Sequence, residues 1–312
     1  MRITLLAGGV GGAKLAHGLQ AVLEPGELSV IVNTGDDLEV FGLDVAPDLD
    51  TVLYTLAGLA NPDTGWGVAG DTWTALEMLG RYGEPTWFRI GDADLATHVR
   101  RTALLREGRT RTEAAADMTA ALGVRTHLLP MSDDPVRTRV ETDAGLLDFQ
   151  TYFVARGQRD EVRGVVLDGI DAARPSDAVL EAITSGDVLV FAPSNQLVSI
   201  GPILAVPGVR DAVAAARAPR VAVSPIVAGR ALRGPADRML ASLGHEPTAL
   251  GVARLYAGLV DVFVVDEADA ALIGAIEALG MRAFAAPTVM RNDTDRADLA
   301  RRLLEVGDAA RG

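Results

Sequence analysis

Four glycines in five positions, Gly8, Gly9, Gly11 and Gly12, separate the apolar run RITLLA (2–7) from the helix-forming run KLAHGLQAVL (14–23). Glycine at such a junction lets backbone amides approach another group closely. A second apolar run, ELSVIVN (27–33), follows after one helix length. Strand, tight turn, helix, strand is how a parallel α/β sheet begins. In open sheets of that kind ligands bind outside the carboxyl ends of the strands, where this turn falls. The N-terminus does not read as a secretion signal, because no basic stretch precedes a full apolar core.

The apolar spacing changes along the chain. From Thr51 to Leu122 it is helical, with TVLYTLAGLA, DTWTALEMLGRYG, DLATHVRRTALLREG and TRTEAAADMTAALG as four helix candidates. Asp71 and Asp94 stand where N-caps belong, and Thr110 with Glu113 has capping-box spacing. Strands resume with THLLPMS and with RTRVETDAGLLDFQTYFVAR, which reads as two extended runs about Asp143-Ala144-Gly145. Alternating strands and helices follow, from RGVVLDG to RAFAAP and a terminal helix. The expectation is a doubly wound, mostly parallel, Rossmann-like α/β sheet with a mainly helical insertion. Residues 1–50 and 123–312 would form the nucleotide-binding core and 51–122 the insertion.

Across its 312 residues the chain carries a formal charge of −13, which argues against a nucleic-acid backbone or an anionic membrane as partner. No stretch nears the length of a membrane span, so a cytoplasmic protein is expected. With no cysteine there is no disulfide framework, no thiolate metal ligand and no thiol nucleophile. Lys14, inside the glycine turn, is the only lysine. The turn fits neither G-x-G-x-x-G nor the Walker pattern, because Lys14 replaces the last glycine of the first and Gly12-Ala13-Lys14-Leu15 breaks the second. An anion site made of turn amides and a helix N-terminus is the better reading than a turn that only packs helix on sheet.

After the second strand, VNTGDDLEVFGLDVAPDLDT (32–51) places Asp36, Asp37, Glu39, Asp44, Asp48 and Asp50 in fifteen positions, among packing residues such as Val40, Phe41, Leu43 and Val45. Asp48 or Asp50 suits a helix cap, and Asp36 or Asp37 suits a ribose hydroxyl. Neither explains six carboxylates. Mg²⁺ takes one or two carboxylates, several waters and substrate phosphate oxygens, and it would stop carboxylates from repelling a phosphate beside them. Two later strand ends add polar groups. Ser194, Asn195 and Ser199 offer neutral donors and acceptors, or else cap a turn. Arg230 and Arg233, between Gly229 and Gly234, suit a phosphate or carboxylate, or else a solvated loop. His98 and His17 read as structural, Trp66 as a stacking surface for a flat ligand, and Trp73, at helical spacing with Leu76, as core.

AGGVGGAK, NTGDD, PDLDT, GDADLATH, LLPMSDD, APSNQLVSIGPIL and SPIVAGRALRGPAD resemble, in the same order and over almost the whole chain, motifs of the phospholactate transferase family of coenzyme F-420 biosynthesis. Its close actinobacterial relative is the phosphoenolpyruvate transferase. The resemblance implies transfer of a phospholactyl or phosphoenolpyruvyl group from a guanosine diphosphate conjugate to the ribityl hydroxyl of the deazaflavin Fo, with release of GMP. It also implies Mg²⁺, a homodimer, and an insertion that helps form the deazaflavin site. By motif match, Asp36 and Asp50 would hold the metal, and one of Asp36, Asp37 and Asp50 would help take the hydroxyl proton. Gly9, Gly11, Gly12 and Lys14 would hold the diphosphate. Ser194, Asn195 and Ser199 would meet the guanosine, Arg230 and Arg233 an anionic substrate end, and His98 and Trp66 a substrate. Phosphoryl transfer needs positioning and charge neutralisation more than a covalent nucleophile, which suits a chain without cysteine or a catalytic triad. One alternative is a nucleotide-sugar-binding regulator of the distantly similar gluconeogenesis-factor type. Another is an NAD-dependent oxidoreductase, which would need a better dinucleotide fingerprint.

Overall fold

A computed structural model describes residues 1–311. Seven strands form the central sheet: β1 (Ile3–Ala7), β2 (Leu28–Val32), β3 (His127–Pro130), β4 (Val188–Phe191), β5 (Arg220–Val223), β6 (Val262–Asp266) and β7 (Arg282–Ala286). Their order is β3-β2-β1-β4-β5-β6-β7, and every pairing is parallel. Parallel strands are covered on both faces, which is why β1, β2, β4 and β6 are almost unbroken apolar runs. One face packs against α1 (Gly9–Val22), α2 (Pro47–Leu56) and the terminal helix Asp293–Arg311. Helices Asp177–Ser185, Val209–Ala215, Ala236–Ser242 and Ala249–Leu255 cover the other face. The strand order reverses between β1 and β4, and that switch point sets the place of a ligand cleft.

Beyond β2 the chain makes a small hairpin, Leu38–Val40 with Leu43–Val45. Its tip, Phe41-Gly42, has both residues at positive φ (53° and 71°), the conformation that matches a two-residue turn to strand twist. α2 follows, then α3 (Thr74–Arg81), α4 (Asp92–Arg106) and α5 (Arg111–Ala121). The expected insertion began at residue 51, yet Val52, Leu53 and Tyr54 of α2 belong to the same core as α1 and β1. Leu104 of α4 and Ala114, Ala115 and Met118 of α5 join that core as well. Thr110 and Glu113 make the expected capping box.

Asp71 and Asp94 do not cap their own helices. Asp71 accepts from the Ala93 and Asp94 amides of α4, at 2.8 and 3.0 Å. Asp92 of α4 accepts from the Thr74 and Ala75 amides of α3, at 3.0 and 2.8 Å. Each helix start is thus satisfied by a carboxylate beside the other, which fixes the two together.

Two strand expectations change. Of the run after Gly145, only Gly145–Asp148 is extended, and Thr151–Ala155 is helical. Val162–Asp168 lies outside the central sheet and pairs antiparallel with Arg137–Thr142 in a three-stranded sheet. It is mostly half-exposed, as a one-sided antiparallel strand is and a central parallel strand is not.

α1 and the terminal helix meet at Gly18, where an added Cβ would overlap the Arg296 backbone carbonyl. Alanine is better than glycine in a helix interior by about 1 kcal/mol. Overpacking a tight contact costs about 1–3 kcal/mol. Gly18→Ala is accordingly expected to lower the unfolding free energy in a urea titration, despite the better helix former.

Candidate active site

α1 begins at Gly9, directly after β1, so the expected five-residue glycine turn is a single junction with Gly8 as N-cap. The glycines are there because three segments converge on it. A Cβ at Gly8 would meet Asp48 Oδ2 at 2.6 Å and Ser199 Cβ at 2.7 Å, and one at Gly11 would meet the Pro193 carbonyl oxygen at 2.5 Å. Gly9 has φ +62°, which disfavours a side chain. A cleft of about 760 Å³ opens at this point, over the carboxyl ends of the sheet strands.

The carboxylates of residues 36–50 divide into two groups. Asp37 and Asp44 share Arg111, whose Nη1 donates to both at 3.0 Å. Burial still pushes Asp37 up to about 7, against the pull of Arg111. Asp50 is held by the buried Arg101 guanidinium, with His98 Nδ1 at 3.6 Å. Asp36 and Asp48 have no cationic partner among the described residues. Asp48 accepts from the Gly9 amide at 2.8 Å and from Asn33 Nδ2 at 3.0 Å, and burial raises it to about 6. Asp36 has a buried Oδ1 with no partner among the described residues. Burial first, then repulsion from Asp48, drive its pKa well above the usual carboxylate range.

The two expected metal ligands, Asp36 and Asp50, stand in different surroundings. Asp48 and Asp50 sit two apart in α2, and helix residues so spaced do not face the same way. Asp48 turns toward Gly9 and Asn33, and Asp50 toward Arg101 and His98. The pair at the cleft without a cationic partner among the described residues is Asp36 with Asp48, and from the sequence Asp48, like Asp50, suits a helix cap. No three potential ligands cluster around one point among the described residues. Mg²⁺ does not require three, because it keeps waters and takes phosphate oxygens. An orphaned buried carboxylate oxygen beside a second un-ionpaired carboxylate fits such an ion.

Of the other expected site residues, Gly9, Gly11, Lys14, Trp66, His98, Ser194, Asn195, Ser199 and Arg233 line the cleft together with Asp36 and Asp50. Asp37, Gly12 and Arg230 do not. Asp37 faces Arg111, Gly12 is packed on Ala7 and Ser194, and Arg230 is exposed in the short hairpin Ile226–Val227/Arg230–Ala231. Some of the lining groups already have partners. Ser194 donates to the Gly8 carbonyl at 2.7 Å, and Asn195 Oδ1 accepts from the Leu197 amide at 2.9 Å. Lys14 Nζ donates to the Met290 carbonyl at 2.9 Å, and burial, then Arg296 and Arg233, lower its pKa. Arg233 donates to the Thr64 and Asp63 carbonyls, joining the two loops at the cleft mouth.

His98 is almost wholly buried, between Asp50 and Asp94. Tyr54 donates to Asp94 Oδ1 at 2.7 Å, completing a polar wall that the sequence reading had not assembled. The aromatic and apolar lining was also missed: Trp87, Phe88, Phe149, Phe153 and Val154 line the cleft with Trp66. These lie in two segments far apart in sequence, so no local spacing marks them. Trp73 is not core: it is half-buried at the start of α3 and stacks with Arg89.

The 2-phospho-L-lactate transferase CofD family model matches residues 3–296. The chain is 46% identical over 317 residues to a phosphoenolpyruvate transferase of Streptomyces griseus, covering all of both chains. It is 40% identical over 296 residues to a 2-phospho-L-lactate transferase of Methanosarcina acetivorans, covering 95% of this chain and 96% of that one. In fold it is similar to the crystal structure of a UPF0052 family member from Bacillus halodurans, with TM-score 0.62 and 19% identity over 97% of this chain and 98% of that one.

Proposed function

Because the chain belongs to the CofD family of 2-phospho-L-lactate transferases and is a transferase, we propose that it moves a phosphoenolpyruvyl group from a guanosine diphosphate conjugate to the terminal ribityl hydroxyl of the deazaflavin Fo, in coenzyme F-420 biosynthesis. The donor follows the higher identity to the phosphoenolpyruvate transferase of Streptomyces griseus, 46% against 40% for the Methanosarcina acetivorans lactate enzyme. The observation that carries the reading is the Asp36–Asp48 pair set against the N-terminus of α1 in one cleft, Asp48 accepting from the Gly9 amide.

In this reading the hydroxyl oxygen forms a bond to the phosphorus bearing the enolpyruvyl group. The bond from that phosphorus to the bridging oxygen breaks, GMP leaves with the electron pair, and the hydroxyl proton passes to a carboxylate. The start of α1 and Lys14 bind the diphosphate, since a helix N-terminus favours an anion. Asp36 and Asp48 would hold Mg²⁺, which supplies charge neutralisation to the phosphates when bound. The aromatic wall of Trp66, Trp87, Phe149 and Phe153 receives the flat ring and excludes water from the reacting end. In this reading Asp36, whose Oδ1 has no partner among the described residues, accepts the proton once it is ionised.

Protein mixed with Fo, Mg²⁺ and each guanosine diphosphate conjugate in turn is expected to give, by mass spectrometry, a phosphodiester and GMP with the enolpyruvyl donor. No product from either donor would defeat the proposal. Mg²⁺ binding should also depend on pH in a fixed direction. Raised pKa values mean that Asp36 and Asp48 keep their protons to higher pH, so the ion must displace them. Calorimetry is expected to show proton release on Mg²⁺ binding, with affinity rising between pH 5 and pH 8.

A further inference from the structure

The Arg89 guanidinium carbon lies 4.1 Å from the centroid of the Trp73 ring. Arg89 lines the cleft, beside Trp87 and Phe88, and no carboxylate pairs with it among the described residues. A cation over an indole face is attracted by the ring quadrupole, and a planar guanidinium stacked there keeps its edge N–H groups free. The platform is itself fixed. Trp73 is the N-cap residue of α3, whose first amides are held by Asp92, while Asp71 holds the first amides of α4. Arg89 stands just before Gly91, where a Cβ would collide with the Asp71 carboxyl group. The reciprocal caps therefore hold together the backbone that carries Trp73 and the helix start that follows Arg89.

We propose that Trp73 is a positioning residue for acceptor binding, its indole holding the Arg89 guanidinium at the cleft so that it can donate to an oxygen-bearing edge of a flat heteroaromatic acceptor. This rests on the transfer reading above and assigns Trp73 a task on the acceptor side of that site. An arginine free to rotate would pay the cost of ordering at each binding event, whereas a stacked one has paid it in folding. The effect belongs in acceptor affinity and not in the chemical step, because the Asp36–Asp48 pair and the α1 N-terminus are untouched.

The test uses the full chain, with acceptor KM, donor KM and kcat from steady-state turnover, and Fo binding from equilibrium dialysis. Trp73→Ala is expected to raise acceptor KM and Kd roughly 3- to 30-fold, with donor KM and kcat within about twofold of wild type, the precision expected of such a comparison. Trp73→Phe should restore most of the affinity and guards against a folding defect in the alanine variant. In an Arg89→Ala background, Trp73→Ala should add nothing further. An equal loss with and without Arg89, or parallel changes in donor KM and kcat, would overturn the proposal. Wild-type protein that binds Fo without turning it over defeats the transfer reading alone, and the binding constants then decide this one. Wild-type protein that binds no Fo overturns both.

Discussion

Asp36→Asn is expected to cut turnover about 1000-fold while raising the melting temperature of the metal-free protein. Both effects come from one side chain. Losing a group that positions transition-state charge neutralisation costs about 10²- to 10³-fold or more in rate. In the metal-free protein, however, Asp36 is a buried carboxylate with an unpartnered oxygen, pressed by burial and then by Asp48 to hold its proton. The sign of the stability change follows from the raised pKa. A buried acid whose folded pKa is raised binds protons more tightly folded than unfolded, so stability falls as pH rises from the unfolded value through the folded one. The asparagine has no such charge to bury. Its advantage in calorimetry without Mg²⁺ should be greatest at alkaline pH and vanish toward pH 4. Wild-type turnover in the variant would remove Asp36 from the site, and a lowered melting temperature at pH 8 would mean that Asp36 is stabilising when ionised.

Arg101→Met is expected to cost about 3–5 kcal/mol of unfolding free energy, the usual effect of removing one partner from a buried ion pair. Arg101 is among the largest fully buried side chains, and it binds Asp50 and the Asp44 carbonyl together. Its removal leaves the Asp50 charge buried beside His98 with no cation. The double variant Arg101→Met/Asp50→Asn should recover much of the loss, because the stranded charge is then gone. Urea unfolding of the four proteins gives the coupling energy directly. Additive losses in that cycle would mean that Arg101 acts through packing alone.

The sheet was legible because parallel strands, buried on both faces, write themselves as apolar runs: LLA, VIV, VLVF and VFVVD each mark a strand. Val162–Asp168 misled because a one-sided antiparallel strand can also carry a short apolar run, and its partner is set by the hairpin before it. In the site, the carboxylates were visible as a group and their division was not. Arg101 and Arg111, which neutralise Asp50, Asp37 and Asp44, sit on α4 and α5, far along the chain from the acids they meet. Only the tertiary fold decides which acids are left without a cation. Trp73 carried the period of a core residue, but the pattern did not reveal that an arginine would lie over its exposed face.

The contact between α1 and the terminal helix has a consequence for the order in which the molecule can be made. Leu15, Leu19 and Gly18 of the first helix are covered by residues of Asp293–Arg311, with Leu299, Ala300 and Leu303 in the same core. A helix at residues 9–22 is thus covered by one at residues 293–311. Strand β1 is flanked by β2 on one side and, on the other, by β4, which emerges much later. During synthesis the N-terminal third carries an unpaired strand edge and an uncovered apolar helix face. Native closure waits for contacts between distant parts of the chain, the kind that fold slowly and expose intermediates to aggregation. Until those distant contacts form, the open edge of β1 and the apolar face of α1 are exposed to non-native association.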